Sequence, residues 1–166
     1  MKQFSLTIKE PVAYADVKQV LTQHFRFSAR LIKRLKETEN GILLNGVPVT
    51  VRAPLKAGDV LTLCLPDEAS AIVPTEMPLD ILYEDEDILL VNKQKGMPTH
   101  PVPGNREHTL ANGVCWYYRN VPFVFRPVNR LDRDTTGIVL LAKSAYSAQQ
   151  LFLQMKAPLS AARQNS

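Results

Sequence analysis

Two groups that could do chemistry together stand one residue apart in the stretch VNRLDRDTTGIVLLAK: the guanidinium of Arg130 and the carboxylate of Asp132. A carboxylate can serve as a nucleophile or as a general base. A guanidinium beside it can pair with it, stack, or contact phosphate. In an extended segment alternate side chains share a face, so Arg130 and Asp132 would open on one side while Leu131 turns to the core. Spacing alone leaves a plainer reading open, in which Asp132 or Asp134 caps a turn and the arginines pair with them at the surface. His24, His100 and His108 are dispersed and give no metal-ligand spacing with Cys64 and Cys115, which read as reduced core residues.

The elements that must position this pair are legible on both sides. Leu79 to Tyr83 and Ile88 to Asn92 are apolar runs around the acidic turn Glu84 to Asp87, a predicted hairpin. A loop with Lys93, Gly96, Met97, Pro98, His100 and Pro101 follows, then a predicted helix from an N-cap at Thr109 to Tyr118. Ile138 to Leu141 reads as a buried strand. Further upstream, Asp67 to Pro78 is polar and proline-containing, as a domain boundary is.

The N-terminal part has its own pattern. A helix is expected over about Ala15 to Phe25, and a second after the N-cap Ser28, with Leu31, Ile32 and Leu35 inward. Arg30, Lys33 and Arg34 fall on its other side, with Arg26 just before it and Lys36 near its end; Asn40-Gly41 supplies the stop. Asn45-Gly46 predicts a two-residue hairpin turn between Ile42 to Leu44 and Val47 to Val51, and Val60 to Leu65 reads as a closing strand.

The 166 residues carry 20 Lys and Arg against 16 Asp and Glu, and 45% are hydrophobic, a globular composition. The excess of positive charge lies in residues 1 to 66, with a balance of +5 against −1 for the remainder, which favours a small basic domain followed by a second. The N-terminal stretch has no apolar run of signal-peptide length, and runs such as Ile138 to Ala142 are far shorter than the roughly 20 residues a membrane crossing needs. A cytoplasmic monomer without membrane attachment is expected.

RFSARLIKRLKETENGILLNGVPVTVRAPLKAGDVLTL resembles the S-four RNA-binding domain, through the basic helix and hairpin and the LLNG, PLKAGD and VLTL positions. That resemblance implies that Arg26, Arg30, Lys33, Arg34 and Lys36 face structured RNA, neutralising phosphates and reading helical shape. VNRLDRDTTGIVLLAK, with EDEDILLVNKQKGMPTHP and TLANGVCWYY before it, is similar to the RluA-type pseudouridine synthases, whose central motif is His-Arg-Leu-Asp, two variable residues and Thr-Ser-Gly. Arg130, Leu131, Asp132, Thr135 and Gly137 match that motif; Asn129 replaces the His, Thr136 the Ser, and Gln94 a usual Pro. An S-four domain ahead of this catalytic domain is a common arrangement in the family.

The resemblance implies isomerisation of uridine to pseudouridine in RNA, with ribosomal RNA favoured, transfer RNA the alternative, and no metal or redox cofactor. It assigns Asp132 the role of catalytic carboxylate and Arg130 that of filling the space of an extruded base. Asn129, Thr135, Thr136 and Gly137 are left to support the loop, where the Asn129 amide can still orient it by hydrogen bonding and Thr136 keeps the Ser hydroxyl. The implied fold class is α+β: an S-four-like RNA-binding domain over 12–66, a linker over 67–78, and the N-terminal part of a mixed-sheet catalytic domain over 79–166. The family pattern holds to about Leu151 to Ala157 and then departs into PLSAARQNS, where a Lys-x-Tyr strand and a later basic segment are expected. A truncated product is therefore expected, and a noncatalytic RNA-binding fragment is the alternative function.

Overall fold

The computed structural model describes residues 2–66 and 70–156. The chain divides into two compact units, Met1–Asp67 and Glu68–Ser166, both built from helices on antiparallel sheets, an α+β architecture.

In the first unit β1 (Lys2–Thr7) alternates half-buried and exposed side chains, with Phe4 and Leu6 turned inward. The chain then forms α1 (Val17–Gln19), capped by the Asp16 carboxylate on the Gln19 N–H at 2.8 Å and prolonged by a wide π-type turn, Val20–His24. Next comes α2 (Ala29–Glu37), whose N-terminus is capped by the Ser28 hydroxyl accepting from the Leu31 N–H at 3.2 Å. β2 (Ile42–Leu44) and β3 (Val47–Pro48) form a hairpin across Asn45-Gly46, with φ of 52° and 81°, the pair of positive values that a tight hairpin turn requires. β4 (Val60–Leu65) lies between β1 and β2, giving the order β1-β4-β2-β3. Val17, Val20, Leu21, Leu31 and Leu35 bury with Leu61 and Leu63 as the core.

Two boundaries differ from the sequence reading. The unit does not begin at residue 12: β1 pairs with β4 from Lys2 opposite Leu65 to Thr7 opposite Val60, and the Phe4 ring meets Phe25 and Phe27 at 5.9 and 6.1 Å. β3 ends at Pro48 rather than Val51, because the carbonyls of Val51 and Ala53 turn to the unpaired N–H groups of Lys18 and Val17 at the start of α1, at 2.8 and 3.1 Å.

The second unit holds β5 (Ile81–Glu84), β6 (Ile88–Lys93), α3 (Leu110–Tyr117), β7 (Gly137–Ala142) and α4 (Ala145–Lys156). The Asp85 carboxylate accepts from the N–H groups of Asp87 and Ile88, both at 2.8 Å, and so closes the β5–β6 turn. Leu89 and Val91 of β6 and Val139 and Leu141 of β7 are buried with Leu110, Ala111 and Val114 of α3. Thr109 caps α3 in a reciprocal box with Asn112. Cys64 and Cys115 are free and buried in their respective cores, and burial pushes the Cys115 thiol up.

The expected mixed sheet is not what the described residues form. The order is β5-β6-β7 and both pairings are antiparallel, since a tight turn joins the first two strands and the chain returns to run back along β6. Nor is 67–78 an independent linker over its described part. Asn112 Nδ2 donates to the Val73 carbonyl at 2.8 Å, the Thr75 N–H to the Asn112 carbonyl at 3.2 Å, and Ile72 and Leu79 pack on the core. A Cβ at Gly113 would lie 2.6 Å from Met77, so residues 70–78 form a strap on α3. Residues 67–69 and the terminal PLSAARQNS lie outside the described residues.

Candidate active site

The strand alternation of β6 continues past its apolar residues. Leu89, Val91 and Lys93 all face the core, and Lys93 is fully buried. Its ammonium donates to the carbonyl oxygens of Met97 at 2.8 Å, Gln94 at 3.1 Å and Arg133 at 3.1 Å, which uses all three of its N–H bonds. Burial pulls the Lys93 pKa down, opposed by the negative charges of Asp134 and Asp132 nearby.

That ammonium anchors the segment containing the candidate pair. Residues 129–136 form no strand, contrary to the extended reading; β7 begins only at Gly137. Their backbone groups bond to the 93–99 segment instead. The Gly96 N–H donates to the Arg133 carbonyl at 2.9 Å, and Arg133 Nε returns a bond to the Gly96 carbonyl at 3.2 Å. The Thr99 hydroxyl donates to the Leu131 carbonyl at 2.7 Å and accepts from the Leu131 N–H at 3.3 Å. A turn follows, in which the Thr135 N–H donates to the Asp132 carbonyl at 3.1 Å.

Arg130 and Asp132 are both exposed and line one open cleft of about 410 Å³, while Leu131 between them packs on the core. No ion pair joins the two among the described residues. Pro98, Thr99, His100, Gly104 and Asn105 line the same cleft. His100 packs edge-on against Phe125 at 5.2 Å, and burial together with the Arg130 charge holds its pKa below the ordinary value. The cleft is of a size that admits a small ligand or one nucleoside, with a carboxylate and a guanidinium among its lining residues.

The remaining loop residues divide by function. Asn129 Nδ2 donates to the Ile138 carbonyl at 3.0 Å and its Oδ1 accepts from the Leu140 N–H at 2.8 Å, so its amide pairs with the edge of β7. Thr135 and Thr136 are exposed, and Gly137 opens β7 with φ of 138°. The sequence reading put Lys93 in the loop after the hairpin, whereas it ends β6, and it did not name Thr99. Lys93 was detectable, because the alternation Leu89, Val91, Lys93 places it on the buried face. Thr99 carries no such signal, since its partner is 32 residues away.

Of the candidate cations in the first unit, Arg26, Arg30, Lys33 and Lys36 are exposed and Arg34 is half-buried. Arg30, Lys33 and Arg34 share one face of α2 by their spacing, and Lys33 meets Glu37 at 3.7 Å. Lys36 lies on the flank, in a depression of about 230 Å³ with Thr38, Asn40 and the Pro48 to Val51 segment. Arg26 precedes the helix in a left-handed conformation, φ 51°.

Residues 87–160 match the sequence profile of the RNA pseudouridylate synthases, a span that takes in β6, α3, the Arg130–Asp132 loop and β7. The second unit is thus similar to the RNA pseudouridylate synthases over most of its length. Three curated relatives agree. The chain is 35% identical over 148 residues to the uncharacterized RNA pseudouridine synthase YlyB of Bacillus subtilis (strain 168), covering 77% of this chain and 49% of that protein. It is 36% identical over 156 residues to ribosomal large subunit pseudouridine synthase D of Xylella fastidiosa, covering 90% and 46%. The protein of the same name from Escherichia coli K12 is 32% identical over 155 residues, covering 90% and 47%. The chain thus spans about half the length of the curated relatives it matches. Within the second unit, no group of three or more His, Cys, Asp or Glu side chains is placed to hold a metal ion among the described residues.

Proposed function

We propose that this protein is an RNA pseudouridine synthase in which Asp132 is the catalytic carboxylate. The observation that carries the reading is that Asp132 and Arg130, both within the family match, line one open cleft. In the reaction the bond between N1 of uracil and C1′ of ribose breaks, the base turns, and a bond forms from C5 to C1′. C5 loses a proton and N1 gains one. A carboxylate is suited to act at the sugar or the base as nucleophile or base. The target base must first leave the RNA stack, at a cost of a few kcal/mol, and Arg130 is suited to occupy the vacated space and to contact phosphate.

The basic first unit is read as an S-four-like RNA-binding domain, supported by the exposed cations of α2 beside the β2–β3 hairpin. Ribosomal RNA is the favoured substrate, supported by the names of the synthase D relatives; transfer RNA is the alternative. No helix among the described residues is long and apolar enough to cross a membrane, and the reading places the protein in the cytoplasm as a monomer.

The test is tritium release from RNA labelled at uridine C5, since that hydrogen departs when pseudouridine forms. Release by the chain, lowered about 10²–10⁴-fold in Asp132→Asn, is the expected result. Release that Asp132→Asn leaves unchanged removes the assignment of Asp132. The second reading, RNA binding without turnover, is favoured by the self-contained sheet and core of the first unit; saturable RNA binding with no tritium release decides for it.

A further inference from the structure

The carboxylate of Asp132 is exposed, yet the peptide units on both sides of it are held. On the far side, Arg133 is fixed by Lys93 and Gly96. On the near side, the sole side chain gripping Leu131 by hydrogen bonds among the described residues is Thr99, whose hydroxyl meets both backbone groups of that residue. Thr99 is 5% exposed, and its own backbone is not free to drift. Its carbonyl accepts from the Ala111 N–H at 3.2 Å and the Pro98 carbonyl from the Leu110 N–H at 2.9 Å, two N–H groups of the first turn of α3, which need partners outside the helix. A continuous set of bonds therefore runs from α3 through Thr99 to Leu131, the residue before Asp132.

We propose that Thr99 is a positioning residue for Asp132: its hydroxyl transmits the fixed geometry of α3 to the Leu131 backbone and so sets where the Asp132 side chain enters the cleft. The proposal rests on the reading of Asp132 as the catalytic carboxylate. One hydroxyl suits the task because it donates and accepts at the same time, as the two Leu131 groups require. Valine fills the same space but offers neither function, and leaves a donor and an acceptor of Leu131 without this partner. The Leu131 side chain still packs on the core, so the loop keeps its general course while losing its exact placement. Displacements of about 1 Å are enough to lower rates on the order of 100-fold.

The experiment compares the full chain with Thr99→Val and Thr99→Ser in steady-state uridine isomerisation and in amide hydrogen exchange. The expected result is a kcat lowered about 10- to 100-fold in Thr99→Val with KM for RNA unchanged, and recovery of most of that loss in Thr99→Ser, which retains the hydroxyl. The Leu131 amide should exchange faster in Thr99→Val while those of Leu89 and Val91 keep their protection. A wild-type kcat in Thr99→Val, or an equal loss in Thr99→Ser, overturns the proposal. Should Thr99→Val not fold, Thr99→Ala carries the same comparison; failure of both to fold overturns it as well, because Thr99 would then support the unit and not the loop. If the unsubstituted chain shows no isomerisation, the functional reading fails separately. Exchange at Leu131 then decides alone: acceleration confined to the loop supports the grip by Thr99, and an unchanged rate refutes it.

Discussion

Lys93 donates to the carbonyl oxygen of Arg133 at 3.1 Å, joining the end of β6 to a residue forty positions later in the chain. No carboxylate touches this buried ammonium among the described residues; its three partners are all backbone oxygens. A lysine in this place acts as a three-pronged clamp on two loops. Its charge is balanced at longer range by Asp132 and Asp134, which oppose the effect of burial.

Replacing Lys93 by Met keeps most of the side-chain volume and leaves three carbonyl oxygens without this donor. A loss of about 2–4 kcal/mol in the stability of the second unit is expected. Trp116, the single tryptophan, lies half-buried in that unit and reports its urea unfolding by fluorescence. The pH dependence carries a sign. Burial lowers the folded pKa, so the unfolded chain holds this proton more tightly, and the lysine's contribution to stability rises with pH between its folded value and 10.5. Lys93→Met should remove that rise; a urea midpoint unaffected by the substitution would show that the clamp is dispensable.

Asn129 stands where its amide can pair with two backbone groups of β7, the Ile138 carbonyl and the Leu140 N–H. Asn129→Ala withdraws both bonds from a strand edge, and a destabilisation of about 1–2 kcal/mol is expected, with faster exchange at the Leu140 amide. Asn129→His brings the residue usual in the family. An imidazole has its donor and acceptor on diverging sides of a ring and cannot serve both groups as an amide does. It should therefore resemble alanine in Leu140 exchange, and protection as strong as that of Asn129 would contradict this account of the edge.

The contrast between these sites shows which features a linear sequence carries. The hairpin at Asn45-Gly46 and the caps Ser28 and Thr109 depend on residues within a few positions of one another, and each was legible. The alternation of Phe4, Leu6 and Ile8 was present as well, but Lys2 to Thr7 become a strand only because β4 offers an edge 53 to 63 residues later. The same holds for the candidate loop. Arg130 and Asp132 were proposed from their types, whereas the support of their segment by Thr99 and Lys93 depends on contacts 32 and 40 residues long, with no local period to announce them. Even the strap over α3 looked like a linker, since its polar composition says nothing about the Asn112 side chain that receives it.

Acid should release a second part of this unit through Glu84. Burial raises its pKa, but bonds from Lys143 at 2.8 Å, Tyr118 at 2.5 Å and Tyr117 at 2.8 Å outweigh that effect and hold it below 4.5. The unfolded chain then binds the proton more tightly, so this stability is present above pH 4.5 and is lost as pH falls through the folded value. Tyr118 acts in the opposite range. Burial and then its bond to Glu84 raise its pKa, so its contribution is present below pH 10 and declines as pH rises beyond that. Glu84→Gln should flatten the acid limb of a plot of urea midpoint against pH, at a cost of about 1–3 kcal/mol near neutrality. Tyr118→Phe should flatten the alkaline limb. An acid limb that Glu84→Gln leaves in place would move the cause to other carboxylates.

The cations of α2 lead to a prediction that separates RNA contact from ordinary surface charge. Arg30 and Lys33 lie exposed on one face of the helix, and Lys33 shares its charge with Glu37. Each phosphate neutralised by such a group releases about one condensed counterion, so affinity falls with salt by a slope that counts the contacts. Arg30→Ala should weaken binding to structured RNA about equally across sequences and reduce the logarithmic salt slope by about 1. Lys33→Ala should do the same to a smaller degree, and Glu37→Gln should strengthen binding by freeing Lys33 from its 3.7 Å partner. Affinity measured from 50 to 200 mM salt checks all three. A slope that stays constant while Arg30 is removed would mean that this face of α2 is turned to solvent, and that RNA is held by other residues.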